Sequence, residues 1–220
     1  MQKVYDARIF HPSTMLICGP SGSGKTNFTL NLLENADVMF RPCKPSFTIL
    51  IYETWQPSYD IMLEKKLINL SIKGFNNIEY LKELFEENKE KGGTLLVIDD
   101  QMQNIDYNLV NIFTIYSHHL KVTCLLLLQS LFLSNKIYRV ISLNSNYIIL
   151  MKNTRDSSSV SLLAKQTHPF RTRFVTDAYL DATCKPFSYL LMDLRQETCE
   201  EIRLRANIFS DTVTVYVQKL

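Results

Sequence analysis

Apolar and polar positions fall into repeating blocks along this 220-residue chain. Short apolar runs recur, each closed by a polar or glycine-rich segment. Met15 to Cys18 reads as the first buried strand, Phe47 to Tyr52 as the second and Thr94 to Asp100 as the third. Val122 to Ser130 is the fourth and Asn146 to Met151 the fifth, with a minor strand at Leu67 to Ile72. Helical spacing fills the intervals. Phe28, Leu30, Leu32 and Leu33 give a helix with mixed faces. Ile78, Leu81, Leu84 and Phe85 give an amphipathic one that ends at Lys91-Gly92-Gly93. Shorter helices are expected over 59–66, 104–119, 159–166 and 169–183, with Ile137 to Ser142 as a connection. Phe187 to Met192 and Val213 to Val217 read as end strands that form a pair. Strand and helix alternate, so the expected fold class is α/β: a mostly parallel sheet between two helical layers with a short C-terminal strand extension. The length fits one domain over residues 1–220, with a core of about 10–195 and an extension of about 196–220.

Composition narrows the class. With 46% apolar residues the chain can bury a sizeable core, and a net charge of +2 announces no global field for a polyanion. Residues 1–120 carry 11 Lys/Arg against 14 Asp/Glu, and residues 121–220 carry 13 against 8, so the second part is the basic one. Five scattered cysteines without a C-x-x-C point to a reduced, intracellular protein, with Cys18 and Cys124 as small core residues. Four histidines, two of them adjacent, make no metal-ligand pattern. The longest apolar run, Val122 to Leu133, is too short to span a bilayer, and Met1 to Phe10 is no signal peptide.

The first strand runs into Gly19-Pro20-Ser21-Gly22-Ser23-Gly24-Lys25-Thr26, a full match to G-x-x-x-x-G-K-[ST] in the strand–loop–helix context this phosphate-binding loop requires. Glycines let successive N–H groups turn inward toward phosphate oxygens, and the helix N-terminus adds partial positive charge. Lys25 can reach the β- and γ-phosphates of ATP, and the Thr26 hydroxyl can take one position on Mg²⁺. A dinucleotide fingerprint is excluded because Asn27 stands where its third glycine belongs. The third strand ends in Asp99-Asp100, the Walker B pattern. Asp99 is expected on Mg²⁺, and Asp100 as the group that orients or deprotonates the attacking water. The fourth strand ends in Gln129, placed to hydrogen-bond the γ-phosphate or the water. Ligands bind at the carboxyl edge of open parallel sheets, which all three strand ends share.

Further segments carry a resemblance. They are Tyr52-x-x-x-Gln56-Pro57-x-Tyr59, Leu128-Gln-Ser-Leu-Phe132, and Ile141-Ser-Leu-Asn-Ser-Asn-Tyr147 running into Lys152-Asn-x-Arg155-Asp156. Together with the two loop motifs, over about residues 10–218, the chain resembles the FtsK–HerA type of viral DNA-packaging ATPase. It is most similar to the versions of Polinton/Maverick elements, adintoviruses and virophages, kin of the poxvirus packaging ATPase. The resemblance implies a RecA-like (ASCE) P-loop core with the fourth strand between the first and third. It also implies a homo-oligomeric ring of five or six subunits and translocation of double-stranded DNA into a preformed shell. Partners would then be duplex DNA, further copies of the chain and capsid proteins, with no membrane, at intracellular sites of virion assembly. An arginine from one subunit would reach the neighbour's γ-phosphate, a contribution of about 10³–10⁵ in rate. Arg155, after the fifth strand, is the first candidate and Arg139 the second. The wider class often has Glu where Asp100 stands, so Glu53, at the end of the second strand, is an alternative base. Two other readings stay open on the residues alone: a nucleoside or nucleotide kinase, and a non-catalytic ATP-dependent assembly factor.

Overall fold

The computed structural model describes residues 5–100, 106–132 and 136–218. After a two-residue strand β1 (Ile9–Phe10), the chain enters the sheet with β2 (Thr14–Cys18), followed by the loop and helix α1 (Lys25–Glu34). A short α2 (Ala36–Met39) and β3 (Phe40–Arg41), which pairs with β1, lead to β4 (Phe47–Tyr52). Then come α3 (Pro57–Glu64), β5 (Leu70–Lys73), α4 (Ile78–Lys89) and β6 (Thr94–Ile98). Helix α5 (Tyr107–Asn111) continues through a π-helical turn, Ile112–Tyr116, into α6 (Ser117–His119). The remaining core elements are β7 (Val122–Leu128), α7 (Lys136–Leu143), β8 (Tyr147–Met151), α8 (Ser157–Thr167) and α9 (Thr172–Ala182). Three end strands follow: β9 (Tyr189–Asp193), β10 (Leu204–Ala206) and β11 (Thr214–Tyr216).

The nine strands of the main sheet lie in the order β11-β10-β9-β8-β2-β7-β6-β4-β5. From β8 to β5 every pairing is parallel, and β9 to β11 join antiparallel. Strand β7, the fourth of the expected core strands, lies between β2 and β6 as anticipated. The central strands are buried on both faces, which is why they read as continuous apolar runs. Alternate residues divide between two cores. Leu16, Ile49, Leu96 and Leu126 face the helices α4 to α9, while Met15, Leu50, Leu95 and Leu125 face α1 to α3. The result is the expected three-layer sandwich, with Cys18 and Cys124 buried in it.

Three expectations change. Ile137 to Ser142 is helix rather than a plain connection: Tyr138 and Ile141, one turn apart, bury against the core, and the Tyr138 hydroxyl donates to the Leu131 carbonyl. The two end strands are not a pair. Strand β10 lies between them, bonded to both. The 104–119 helix is interrupted by its π-helical turn, and its expected start lies outside the described residues. The Asn144–Tyr147 stretch fastens strand ends far from the loop. Asn146 Oδ1 accepts from Thr14 N at 2.9 Å, Thr14 Oγ1 donates to the Asn144 carbonyl at 2.7 Å, and Tyr147 OH accepts from Phe10 N at 2.9 Å.

Candidate functional site

The carboxyl ends of β2, β6 and β7 come together because their registers match. Cys18 pairs with Leu128, and Ile98 with Leu126, so Gly19 emerges level with Gln129, and Asp99 level with Leu127 just before it. Gly19 N donates to the Leu128 carbonyl at 3.0 Å, and Asp99 N to the Ile51 carbonyl at 2.9 Å. A Cβ on Gly19 would lie 2.6 Å from Met151 Cβ and 2.7 Å from Ser23 Oγ, so this turn excludes any side chain. Gly22 and Gly24 have φ of 74° and 100°, a region L-residues rarely adopt. Those conformations let the loop close over the start of α1, where Phe28 N donates to the Gly24 carbonyl at 2.9 Å.

A cleft opens here, lined by loop residues Ser21 and Gly22 together with Lys25, Thr26, Gln56, Asp99, Asp100, Leu127 and Gln129. Lys25 curls back over the loop, its Nζ donating to the carbonyls of Gly19 at 2.8 Å and Pro20 at 3.1 Å. Burial pushes its ammonium pKa down, and the charges of Asp99 and Asp100 oppose that. Asp99 is 5% exposed. Burial raises its carboxyl pKa, against lowering contributions from the Tyr59 hydroxyl, Lys25 and the Thr26 hydroxyl. Its Oδ2 accepts from Tyr59 OH at 2.8 Å and from Thr26 Oγ1 at 3.3 Å. Asp100 holds a left-handed backbone, φ 59°, at the rim. Gln129 is exposed in the cleft.

The cleft's donor set suits Mg²⁺. A carboxylate and a hydroxyl are hard oxygen donors, and Mg²⁺ is commonly held by one or two carboxylates with substrate phosphates and water completing its shell. Among the described residues no group of three or more His, Cys, Asp or Glu gathers to hold a metal, so substrate oxygens would have to contribute.

Two residues that touch Thr26 and Asp99 had no role assigned from sequence. Gln56 Oε1 lies 3.3 Å from Thr26 Oγ1, a second acceptor for the one hydroxyl proton that Asp99 also faces. Tyr59, 1% exposed, anchors Asp99. Both sit at the start of α3, Gln56 as the residue before its first turn and Tyr59 one turn in, with Pro57 setting the helix start. The Gln56-Pro57-x-Tyr59 spacing was the available signal; its meaning depends on β4 lying next to β6 in the sheet.

The other candidates lie outside this cleft. Arg155 is exposed after β8, with its N–H bonded to Asn153 Oδ1 at 3.0 Å. Asp156 does not pair with it; it caps α8, accepting from Ser159 N at 3.0 Å and Ser158 Oγ at 2.8 Å. Arg139 is exposed on α7, and Glu53 is exposed beyond β4. None of the three lines the cleft.

No protein-family model matches the sequence, and no curated protein matches it. Among solved structures the chain is similar to EssC (ATPases 2 and 3) from Geobacillus thermodenitrificans, with a TM-score of 0.51 and 11% identity, over 69% of this chain and 34% of that one. The chain thus spans about a third of that EssC structure. It is also similar to a KaiC-like protein from the hyperthermophilic archaeon Pyrococcus horikoshii, with a TM-score of 0.50 and 14% identity, over 94% of this chain and 91% of that one. At identities this low the likeness is one of fold, and the fold is that of RecA-like P-loop ATPases.

Proposed function

We propose that this chain is an ATP-hydrolysing motor that works as a ring and drives viral-type double-stranded DNA into a preformed capsid. The observation that carries the ATPase part is the single cleft in which Lys25, Thr26, Asp99, Asp100 and Gln129 meet. The motor part rests on the sequence resemblance, and the basic balance of residues 121–220 suits a polyanionic partner.

In this reading the loop's N–H groups and the α1 N-terminus bind the triphosphate. Lys25 exchanges its two loop carbonyls for phosphate oxygens. Mg²⁺, when bound, supplies neutralisation of charge on the β- and γ-oxygens. Thr26 and Asp99 hold it, while Tyr59 and Gln56 orient those two ligands. Asp100 accepts a proton from the attacking water or aligns it, and Gln129 hydrogen-bonds at the γ end. Arg155 acts on the neighbouring subunit's site, so the site is complete only between subunits.

Mass measurement with ATP tests the ring, expected at five or six copies. A mixing assay tests the shared site. Arg155→Ala alone and Asp100→Ala alone should each lose turnover but bind nucleotide. Mixed, they should recover part of it, because some interfaces pair an intact Asp100 with an intact Arg155. No recovery, together with a monomeric mass, would remove the ring and the motor from this reading while leaving the phosphate cleft standing.

A further inference from the structure

We propose that Phe187 is the platform on which the nucleotide base stacks; this rests on the phosphate-site reading above. The first observation is direction. Asp99 and Gln129, the groups suited to the γ end, come from β6 and β7, on one side of β2. A triphosphate whose γ end points there leaves its nucleoside on the other side of β2, where β8 and the segment leading into β9 lie.

Phe187 stands at that flank. A Cβ built on Gly24 would lie 3.3 Å from Phe187 Cβ and 3.4 Å from its Cδ1, so the phenyl group borders the loop itself. Phe187 belongs to neither core and is 64% exposed. Its backbone adopts φ 60°, an uncommon conformation for a bulky residue. Strain of this kind persists only where the surroundings impose it. Here they do. Lys152 N donates to the Ser188 carbonyl at 3.1 Å, Lys152 Nζ to the Cys184 carbonyl at 3.0 Å, and Ser188 Oγ to the Lys185 carbonyl at 2.6 Å. The turn is therefore pinned to the end of β8 and presents an aromatic face beside Gly24. Two residues on, Tyr189 packs edge-on against Phe28 at 4.7 Å, and Phe28 against Phe209 at 5.1 Å.

A phenyl ring carries no hydrogen-bonding group, so it offers a π-face to any base and reads none of them. The ligand class is a nucleoside triphosphate held with little base discrimination at this contact.

The test is calorimetric titration of wild type, Phe187→Ala and Phe187→Trp with Mg²⁺-ATP, Mg²⁺-GTP and Mg²⁺-tripolyphosphate. Wild type should bind both nucleotides more tightly than tripolyphosphate. Phe187→Ala should weaken ATP and GTP about tenfold, in line with base–aromatic stacking, and leave tripolyphosphate unchanged. Phe187→Trp should retain nucleotide affinity. Unchanged ATP affinity in Phe187→Ala, with tripolyphosphate still bound, would overturn the stacking role and spare the phosphate cleft. Failure of wild type to bind any of the three ligands would overturn both.

Discussion

The molecule buries charge at both ends of its sheet, and the two ends treat it differently. At the edge away from the phosphate loop, Asp193 is 0% exposed between two arginines. It accepts from Arg195 Nε at 3.1 Å, Arg195 Nη2 at 3.1 Å, Arg205 Nη2 at 2.6 Å and Thr198 Oγ1 at 2.9 Å. Arg205 also donates to the Ala7 carbonyl, and Arg195 lies over the rings of Phe10 and Tyr147 at 5.3 and 5.2 Å. This carboxylate is paired with cations and saturated with donors, and it ties β9 and β10 to the entry of the chain. Asp99, at the loop end, has hydroxyl donors, and burial raises its pKa. A buried carboxylate in that condition is destabilising when ionised, and a cation arriving beside it relieves the cost. Pairing with buried cations marks the structural charge; burial with hydroxyl donors marks the one suited to a metal ion.

Removing one group at each end breaks this comparison if it is wrong. Lys25→Ala should have the largest effect, cutting ATP turnover by about 10²–10³-fold or more, read by phosphate release, with the denaturation midpoint nearly unchanged. Asp193→Ala should do the opposite. It leaves two buried guanidinium groups without their carboxylate and should cost about 3–5 kcal/mol in denaturant unfolding. Tyr59→Phe removes one hydrogen bond to Asp99 and should weaken Mg²⁺ dependence by about tenfold, the equivalent of roughly 1.4 kcal/mol, with the fold intact.

The smallest effect is one of pH. The native state holds the Asp99 proton to higher pH than the unfolded chain does, since burial raises its pKa. The native state then binds more protons, so this group's contribution to stability falls as pH rises from about 3.9, the ordinary aspartate value, through the raised native value. Asp99→Asn should abolish that fall and leave the ligand-free protein at pH 7 as stable as wild type or slightly more so. Thermal melts at several pH values without Mg²⁺ would check it.

Much of this was legible in the sequence for a physical reason. The phosphate loop is local: its glycines, lysine and threonine are adjacent, and the strand and helix around them announce themselves by periodicity. The five core strands read as apolar runs because they are largely covered on both faces, and the place of the fourth between the first and third was what the resemblance implied. What was missed depends on distant contacts. Gln56 and Tyr59 matter because β4 neighbours β6, bringing α3 over Asp99. Strand β10 is three residues containing a charged Arg205, and it is a strand because two partners and Asp193 hold it there. Helix α7 is eight residues, and its two buried positions, Tyr138 and Ile141, are too few to declare a period alone. The Asn144–Tyr147 stretch, a specific part of the resemblance, ties strands β2 and β8 together at the far edge.

The most direct measurement is steady-state ATP hydrolysis by the wild-type chain, with and without Mg²⁺ and with and without duplex DNA. The account predicts Mg²⁺-dependent turnover that duplex DNA stimulates and that added salt reduces as backbone contacts are screened. Tight ATP binding with no turnover under any of these conditions would contradict it, and would leave a nucleotide-gated assembly factor in the motor's place.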